Sequence, residues 1–196
     1  MFIFTEKNNM RYFSLILVAS LFLVSCKNEK EAKKKDPFLI TATTVGKLSI
    51  DTPVSALDSI YAQDSLVKNR HPEMQMNNQD IEVFDRNGKE LLTLDPVTTF
   101  DSTSTIANIQ IKDPRYKTKK GLGLKSTFKT ISKNYKISRI ENTLSNAVIF
   151  LDQDNIYLAI DKENISGSGQ FDTSSKIEPT QIPDDAPIKY IWIGWK

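Results

Sequence analysis

Two stretches of this chain share one pattern without gaps. GKLSIDTPVSALDSIY covers residues 46–61 and GLGLKSTFKTISKNY covers residues 121–135. Setting Leu48 on Leu122 pairs Ile50 with Leu124, Thr52 with Ser126, Val54 with Phe128, Leu57 with Ile131 and Tyr61 with Tyr135. The apolar positions recur at i, i+3 and i+7, one stripe of a helix. Thr52 and Ser126 are N-capping residue types, and Pro53 suits a first helical position. Each copy therefore predicts a short strand, a capped turn and an amphipathic helix. A sequence that begins again must build its fold twice, which restricts the architecture more than composition does.

The match continues downstream. IEVFDRNGKELLTLD (81–95) predicts a β-hairpin about Asn87-Gly88, a type I′ signal because both residues tolerate positive φ. AVIFLDQDNIYLAID (147–161) has the same form, with Asp154-Asn155 near its turn. TIANIQI (105–111) then aligns with PIKYIWI (187–193), setting Ile109 on Ile191 and Ile111 on Ile193. A weaker strand signal covers residues 136–140. The expected fold class is α+β: two tandem β-α-β-β-β units, each with its helix packed on one face of an antiparallel sheet. The first repeat spans residues 38–115. The second spans residues 116–196 and carries a long insert, residues 162–187, rich in Ser, Gly, Asp and Pro.

This pattern resembles the fold shared by β-lactamase inhibitor proteins and the small outer-membrane-assembly lipoproteins of the SmpA/OmlA type, across most of residues 44–193. In that family a G-x-x-x-x-E-V helix start follows a short strand. Here Thr52-Pro53-Val54 and Ser126-Thr127-Phe128 stand in place of the more usual Gly-Met-Thr. The resemblance implies a fold and a binding-protein character, and transfers no catalytic residue.

The N-terminus has a different logic. Residues 10–26 read MRYFSLILVASLFLVSC, with Met10 a plausible start directly before Arg11. The apolar stretch from Tyr12 to Val24 fits a secretory h-region and is shorter than the about 20 residues of a membrane span. It ends in Leu23-Val24-Ser25-Cys26, which resembles the lipobox of bacterial lipoproteins. That resemblance implies removal of residues 1–25 as a signal peptide and acylation of Cys26 with palmitate-type chains. Two or more such chains make a stable membrane anchor. Residues 26–37 are then the lipidated cysteine and a charged tether that cannot bury a core. Lys27 follows the cysteine where an aspartate would signal retention, so resemblance to enterobacterial sorting implies the outer membrane of the cell envelope. Periplasmic and surface-facing placements both stay open.

Several function classes are poorly supplied. A net charge of +2 gives no support for nucleic-acid binding, which usually shows a basic face. With one cysteine and one histidine, intrachain disulfides are impossible, and Cys/His zinc sites and Ser-His or Cys-His pairs lack material. Gly121 and Gly123 miss the spacing of a P-loop. Asp152-Gln153-Asp154-Asn155 opens like a calcium loop but lacks the later glycine and distal glutamate. His71 sits among polar residues before Pro72 and reads as a loop residue. No catalytic residue, metal or cofactor is expected.

One surface stands out. Strand side chains alternate faces. With Ile191 and Ile193 under the helix, Tyr190 and Trp192 share the opposite face, where the first copy has Asn108 and Gln110. Tyr157 joins them, aligned with Leu91 of the first copy. Aromatics clustered on an exposed sheet face are typical of binding surfaces. Tyr157, Tyr190 and Trp192 thus form the candidate protein-binding surface. The leading expectation is a non-enzymatic envelope lipoprotein of assembly, scaffold or inhibitor type that binds an unknown envelope protein. Two alternatives compete with it. The insert or the first copy covers this face, or a cleft between the copies, closed by residues 162–187, holds a small ligand or substrate.

Overall fold

The computed structural model describes residues 36–68, 80–170 and 172–195. Cys26, the lipobox residues Leu23, Val24 and Ser25, and His71 lie outside the described residues. In chain order the elements are β1 (Leu39–Ile40), β2 (Thr44–Val45), β3 (Leu48–Ser49), α1 (Leu57–Ile60), β4 (Ser65–Lys68), β5 (Ile81–Phe84), β6 (Glu90–Pro96), β7 (Ile106–Ile111), β8 (Lys117–Thr118), α2 (Phe128–Asn134), β9 (Ile137–Asn142), β10 (Asn146–Leu151), β11 (Ile156–Asp161) and β12 (Ile188–Gly194).

The fold is mostly β, which corrects the expectation of α+β units. A small mixed sheet has the order β3-β2-β1-β8, with β1 and β8 parallel. A large antiparallel sheet has the order β4-β5-β6-β7-β12-β11-β10-β9. The two α-helices have only four and seven residues. The predicted leading strands do not enter the large sheet: Leu48–Ser49 joins the small one, and residues 123–125 form a turn. The outer edges are taken by β4, which the alternation did not reveal, and by β9, whose signal was weak.

The helices stay short for a local reason. Thr52 and Ser126 do not cap forward. Each hydroxyl closes the turn behind it, accepting from Ser49 N–H at 2.9 Å and from Gly123 N–H at 3.1 Å. The donors at each helical start find carbonyls from the chain before the last strand of that half. Val54 and Ser55 N–H donate to Ser104 and Ser102, and Phe128 and Lys129 N–H donate to Ala186 and Asp184. Tertiary partners thus satisfy groups that a side-chain cap would otherwise take. One or two turns of helix have no independent stability. Leu57 holds the first against the core, and Phe128 and Ile131 hold the second. Gly123 answers to close packing rather than to a phosphate, since a Cβ there would lie 2.7 Å from the Tyr116 carbonyl oxygen.

Both halves of the large sheet repeat one pairing scheme. The β6–β7 ladder pairs Leu92 with Ile111 and Thr93 with Gln110, and its register shifts after Asp95. The β11–β12 ladder pairs Ile156 with Ile193 and Tyr157 with Trp192, and its register shifts after Ala159. The counterpart of Tyr157 is therefore Thr93, which corrects the alignment with Leu91. At the seam, Gln110 and Trp192, equivalent residues of the two halves, pair with each other. An approximate twofold axis passes between them. The predicted type I′ turn at Asn87-Gly88 is also corrected, because only Gly88 has positive φ, at 75°. Gly88 N–H donates to the Asp85 carbonyl, and the ladder bulges at Val83/Phe84.

One face of the large sheet is the core. The row Ile81–Leu94–Ile109–Ile193–Ile156 crosses it, every member buried. The same cluster takes in Ile40, Val45 and Leu48 of the small sheet, and Ile165, Ile177, Ile182 and Ala186 of the insert.

Beyond β7 and β12 the halves diverge. Asp113 is buried and receives Lys89 Nζ at 2.8 Å and Arg115 Nη2 at 3.0 Å. Burial pushes its carboxyl up, but hydrogen bonds from Arg115 and Lys89 outweigh this and hold it at about 2. The equivalent position is Trp195, buried, with its indole N–H donating to the Ala42 carbonyl at 3.2 Å. The aligned tyrosines differ too. Tyr135 and Thr118 share a hydroxyl hydrogen bond of 2.6 Å, whereas the buried Tyr61 hydroxyl has no hydrogen-bond partner among the described residues.

Candidate functional site

The outward face of the large sheet carries one unbroken cross-strand row, Val67–Glu82–Thr93–Gln110–Trp192–Tyr157–Phe150–Arg139. Its first half is polar apart from Val67 at the edge. Its second half is a stack. Phe150 and Tyr157 lie at 5.3 Å with an interplanar angle of 15°, and Tyr157 and Trp192 at 5.3 Å and 10°. These spacings follow from the neighbouring strands, which set side chains side by side along the hydrogen-bonding direction. Tyr190 leans on Trp192 at 5.4 Å and 49° and is 37% exposed. The outer end of the stack is closed by the Arg139 guanidinium, 3.5 Å from the Phe150 ring centre, with Arg139 Nε donating to Glu141 at 2.8 Å.

The inner end of the stack meets a concavity of about 390 Å³. Trp192 and Gln110 border it at the seam, and Thr93, Asp95, Pro96 and Asp80 border it from the first half. Asp95 is tied to the stack through a relay: Tyr157 Oη donates to Asn108 Oδ1 at 2.9 Å, and Asn108 Nδ2 donates to Asp95 Oδ2 at 3.0 Å. Burial raises the Asp95 carboxyl above the usual range. The Asn108 hydrogen bond opposes the shift, and the neighbouring Asp80 carboxyl reinforces it.

The insert lies on the other side. Asn142 belongs to the core-facing row with Ala147 and Ile160, and its Nδ2 donates to the carbonyls of Ser175 at 2.7 Å and Asp172 at 2.8 Å. The apolar residues Ile165, Ile177, Ile182 and Ala186 of the insert join the core, and none of its described residues borders the seam concavity.

Tyr157, Tyr190 and Trp192 share one face and one contact network. Phe150, Arg139, Asn108 and Asp95 complete it and were missed as site residues. Phe150 was within reach, because the alternation in Ala147–Leu151 sets it outward. The others follow from register, which the residue pattern leaves open. The Asp152–Asn155 stretch is a hairpin turn with Asp154 and Asn155 at φ 63° and 54°. Among the described residues no group of three or more His, Cys, Asp or Glu side chains is placed to hold a metal ion.

The chain matches no family profile and no curated protein sequence. Its fold is similar to that in the crystal structure of the uncharacterized protein yfeY from Escherichia coli, at 12% sequence identity and a TM-score of 0.50, over 79% of this chain and 98% of that one. At that identity the likeness is one of fold alone.

Proposed function

We propose that this protein is a lipid-anchored module of the bacterial envelope that binds another protein through the open face of its eight-stranded sheet, without catalysis. The observation that carries the reading is the Arg139–Phe150–Tyr157–Trp192 stack with Tyr190 beside it, on the outward face of the sheet. Large rigid rings offer contact area at little entropic cost, which is why aromatics dominate the centres of interfaces. The anchor rests on the Leu23–Cys26 motif, which supplies the acylated residue, and the charged tether gives the domain reach from the membrane. Outer-membrane placement follows from Lys27 in the same reading.

The test is site-specific photo-crosslinking in the full-length protein in its own membrane. A crosslinking residue at position 190 is expected to give a discrete protein adduct that disappears in Trp192→Ala. The same residue at position 144, where Leu144 is 88% exposed in the turn between β9 and β10, is expected to give none. Equal adducts at both positions, or an adduct indifferent to Trp192→Ala, would overturn the proposed surface.

A second reading draws on the seam concavity, where a small ligand would lie between the halves in contact with Trp192 and Asp95. Concave sites with an aromatic wall and a few convergent polar groups are the usual ligand geometry.

A further inference from the structure

The large sheet ends on one side at β9, and among the described residues no strand pairs with the far side of that strand. The direction of its backbone groups follows from the hairpin that joins it to β10. Thr143 N–H donates to the Asn146 carbonyl at 3.0 Å, and the register then runs without a shift from Asn142–Ala147 to Arg139–Phe150. Backbone groups alternate along an antiparallel strand, so those of Arg139 and Glu141 serve β10, and those of Ile140 and Asn142 point away from it. An edge of this kind is a template for another strand unless it is guarded by charge, proline or a bulge. Guards stand only where β9 begins, in the exposed Lys136 and in the register shift opposite Phe150/Leu151. From Arg139 to Asn142 there is no proline, no lysine and no bulge.

The charges on this edge select its occupant. Arg139 and Glu141 flank Ile140, one residue to either side, both exposed and on the outward face. We propose that β9 pairs with β9 of a second copy of this chain, antiparallel and centred on Ile140, so that two eight-stranded sheets become one. Three layers fit at once. In the plane of the sheet, Ile140 N–H and C=O meet the same groups of the partner's Ile140 as a hydrogen-bonded pair. On the outward face, each Arg139 stands opposite the partner's Glu141, at the closer, non-hydrogen-bonded spacing. On the core face, the half-buried Ile140, beside Ile149, meets the partner's Ile140. Charge also fixes the register. Centring one residue earlier sets Arg139 on itself, and one residue later sets Glu141 on itself, and like charges directly opposite are destabilising. The contact is isologous, the self-complementary type of a twofold dimer. Its axis stands perpendicular to the sheet, so both outward faces lie on one side. The row Trp192–Tyr157–Phe150–Arg139 then runs on through the partner's Glu141 to the partner's Val148, the partner's Ala159 and the partner's Tyr190. Two aromatic surfaces thus become one face with a square of alternating charges at its centre.

The experiment is sedimentation equilibrium of the full-length protein in detergent micelles. Wild type should associate to a dimer with a dissociation constant of about 100 µM, the scale of a small interface. Arg139→Glu and Glu141→Arg should each weaken the dimer about tenfold, because each turns both cross-copy pairs into like charges. The double variant with both substitutions restores opposite charges across the axis and should return to within about twofold of wild type. It does not restore the guanidinium over Phe150, so recovery reports the pairing and not the stack. Copies carrying Arg139→Cys, mixed with copies carrying Glu141→Cys, should form a disulfide dimer under an added oxidant, and either alone should form far less. A monomeric wild type, a double variant no better than the single ones, or equal disulfide yield from one cysteine variant alone would overturn the pairing. The pairing goes beyond the protein-binding reading and fails separately from it. A monomeric wild type that still gives an adduct with a different protein at position 190 sinks the pairing alone. A dimer that obeys the charge swap, with no such adduct at position 190, sinks the partner-binding reading alone.

Discussion

The two halves of the large sheet share a backbone plan and oppose each other in chemistry. Register, bulge position and the carbonyls that receive the helical starts all repeat. The outward row does not repeat. Trp192, Tyr157, Phe150 and Arg139 in one half answer to Gln110, Thr93, Glu82 and Val67 in the other. The core side of both halves is set by the same demand, burial of alternating aliphatics, so it stays alike. The outward face carries no such demand and was free to become different. Within the strands the difference falls on the face that folding does not constrain, which is where function is to be sought, and it places an aromatic wall against an acidic one along the seam.

The comparison can be broken or sharpened by paired substitutions. The largest effect is expected where the halves end differently. Trp195→Ala should cost about 3–5 kcal/mol as a large core truncation, and Asp113→Ala about 2–4 kcal/mol through lost charge-assisted hydrogen bonds. Denaturant unfolding at several pH values separates the two. The folded Asp113 carboxyl is held below its ordinary 3.8, at about 2, so its stabilisation is complete above 3.8 and is lost as pH falls through about 2. The Asp113→Ala deficit should shrink over that window while the Trp195→Ala deficit stays.

Next come the two turn hydroxyls. Thr52→Ala should cost about 1 kcal/mol through the hydrogen bond from Ser49 N–H, and Ser126→Ala should cost at least as much, because its hydroxyl also donates to the Gly121 carbonyl at 3.2 Å. A Thr52→Ala cost clearly above that of Ser126→Ala would mean that the two turns are not equivalent in energy. The tyrosine pair should split in the opposite sense. Tyr135→Phe should cost about 1 kcal/mol through its bond to Thr118, whereas Tyr61→Phe removes a hydroxyl with no partner among the described residues and should be neutral or stabilising.

The smallest effect concerns Asp95. Burial raises its folded carboxyl, the Asn108 hydrogen bond opposes the shift and the Asp80 carboxyl reinforces it. Such a group contributes stability in acid and loses it as pH rises through the folded value. Asp95→Asn should therefore gain slightly in melting temperature over wild type at neutral pH, with the gain vanishing in acid. A loss at neutral pH would show that the carboxylate serves the fold.

Much of the sheet was legible in the residues. Both hairpins, the inward set of Ile109, Ile111, Ile191 and Ile193, and the outward set of Tyr190 and Trp192 follow from simple alternation. Three things did not. The strand at residues 65–68 is too short and too exposed to show a period. The helical stripes at residues 54–61 and 128–135 are real in pattern, but their length is limited by hydroxyls that turn back and by carbonyls from distant chain, neither of which has a local signature. The alignment of Tyr157 slipped by two residues because strand parity is preserved under such a slip, and only the bulges fix the register. Asp95 entered the site through that register, so no scan of residue types could have singled it out.

The position of β12 has a consequence for how the molecule is made. The last strand in chain order lies in the middle of the large sheet, between β7 and β11. Until residues 188–194 arrive, β7 presents an unsatisfied edge, and the two groups of strands have nothing to join them. The Trp195–Ala42 hydrogen bond spans a separation of 153 residues and can form only after that strand is in place. Assembly that depends on contacts this remote in sequence is slow. A copy cut short before β12 would therefore keep that edge open and would be a substrate for proteases and chaperones rather than half of a working protein.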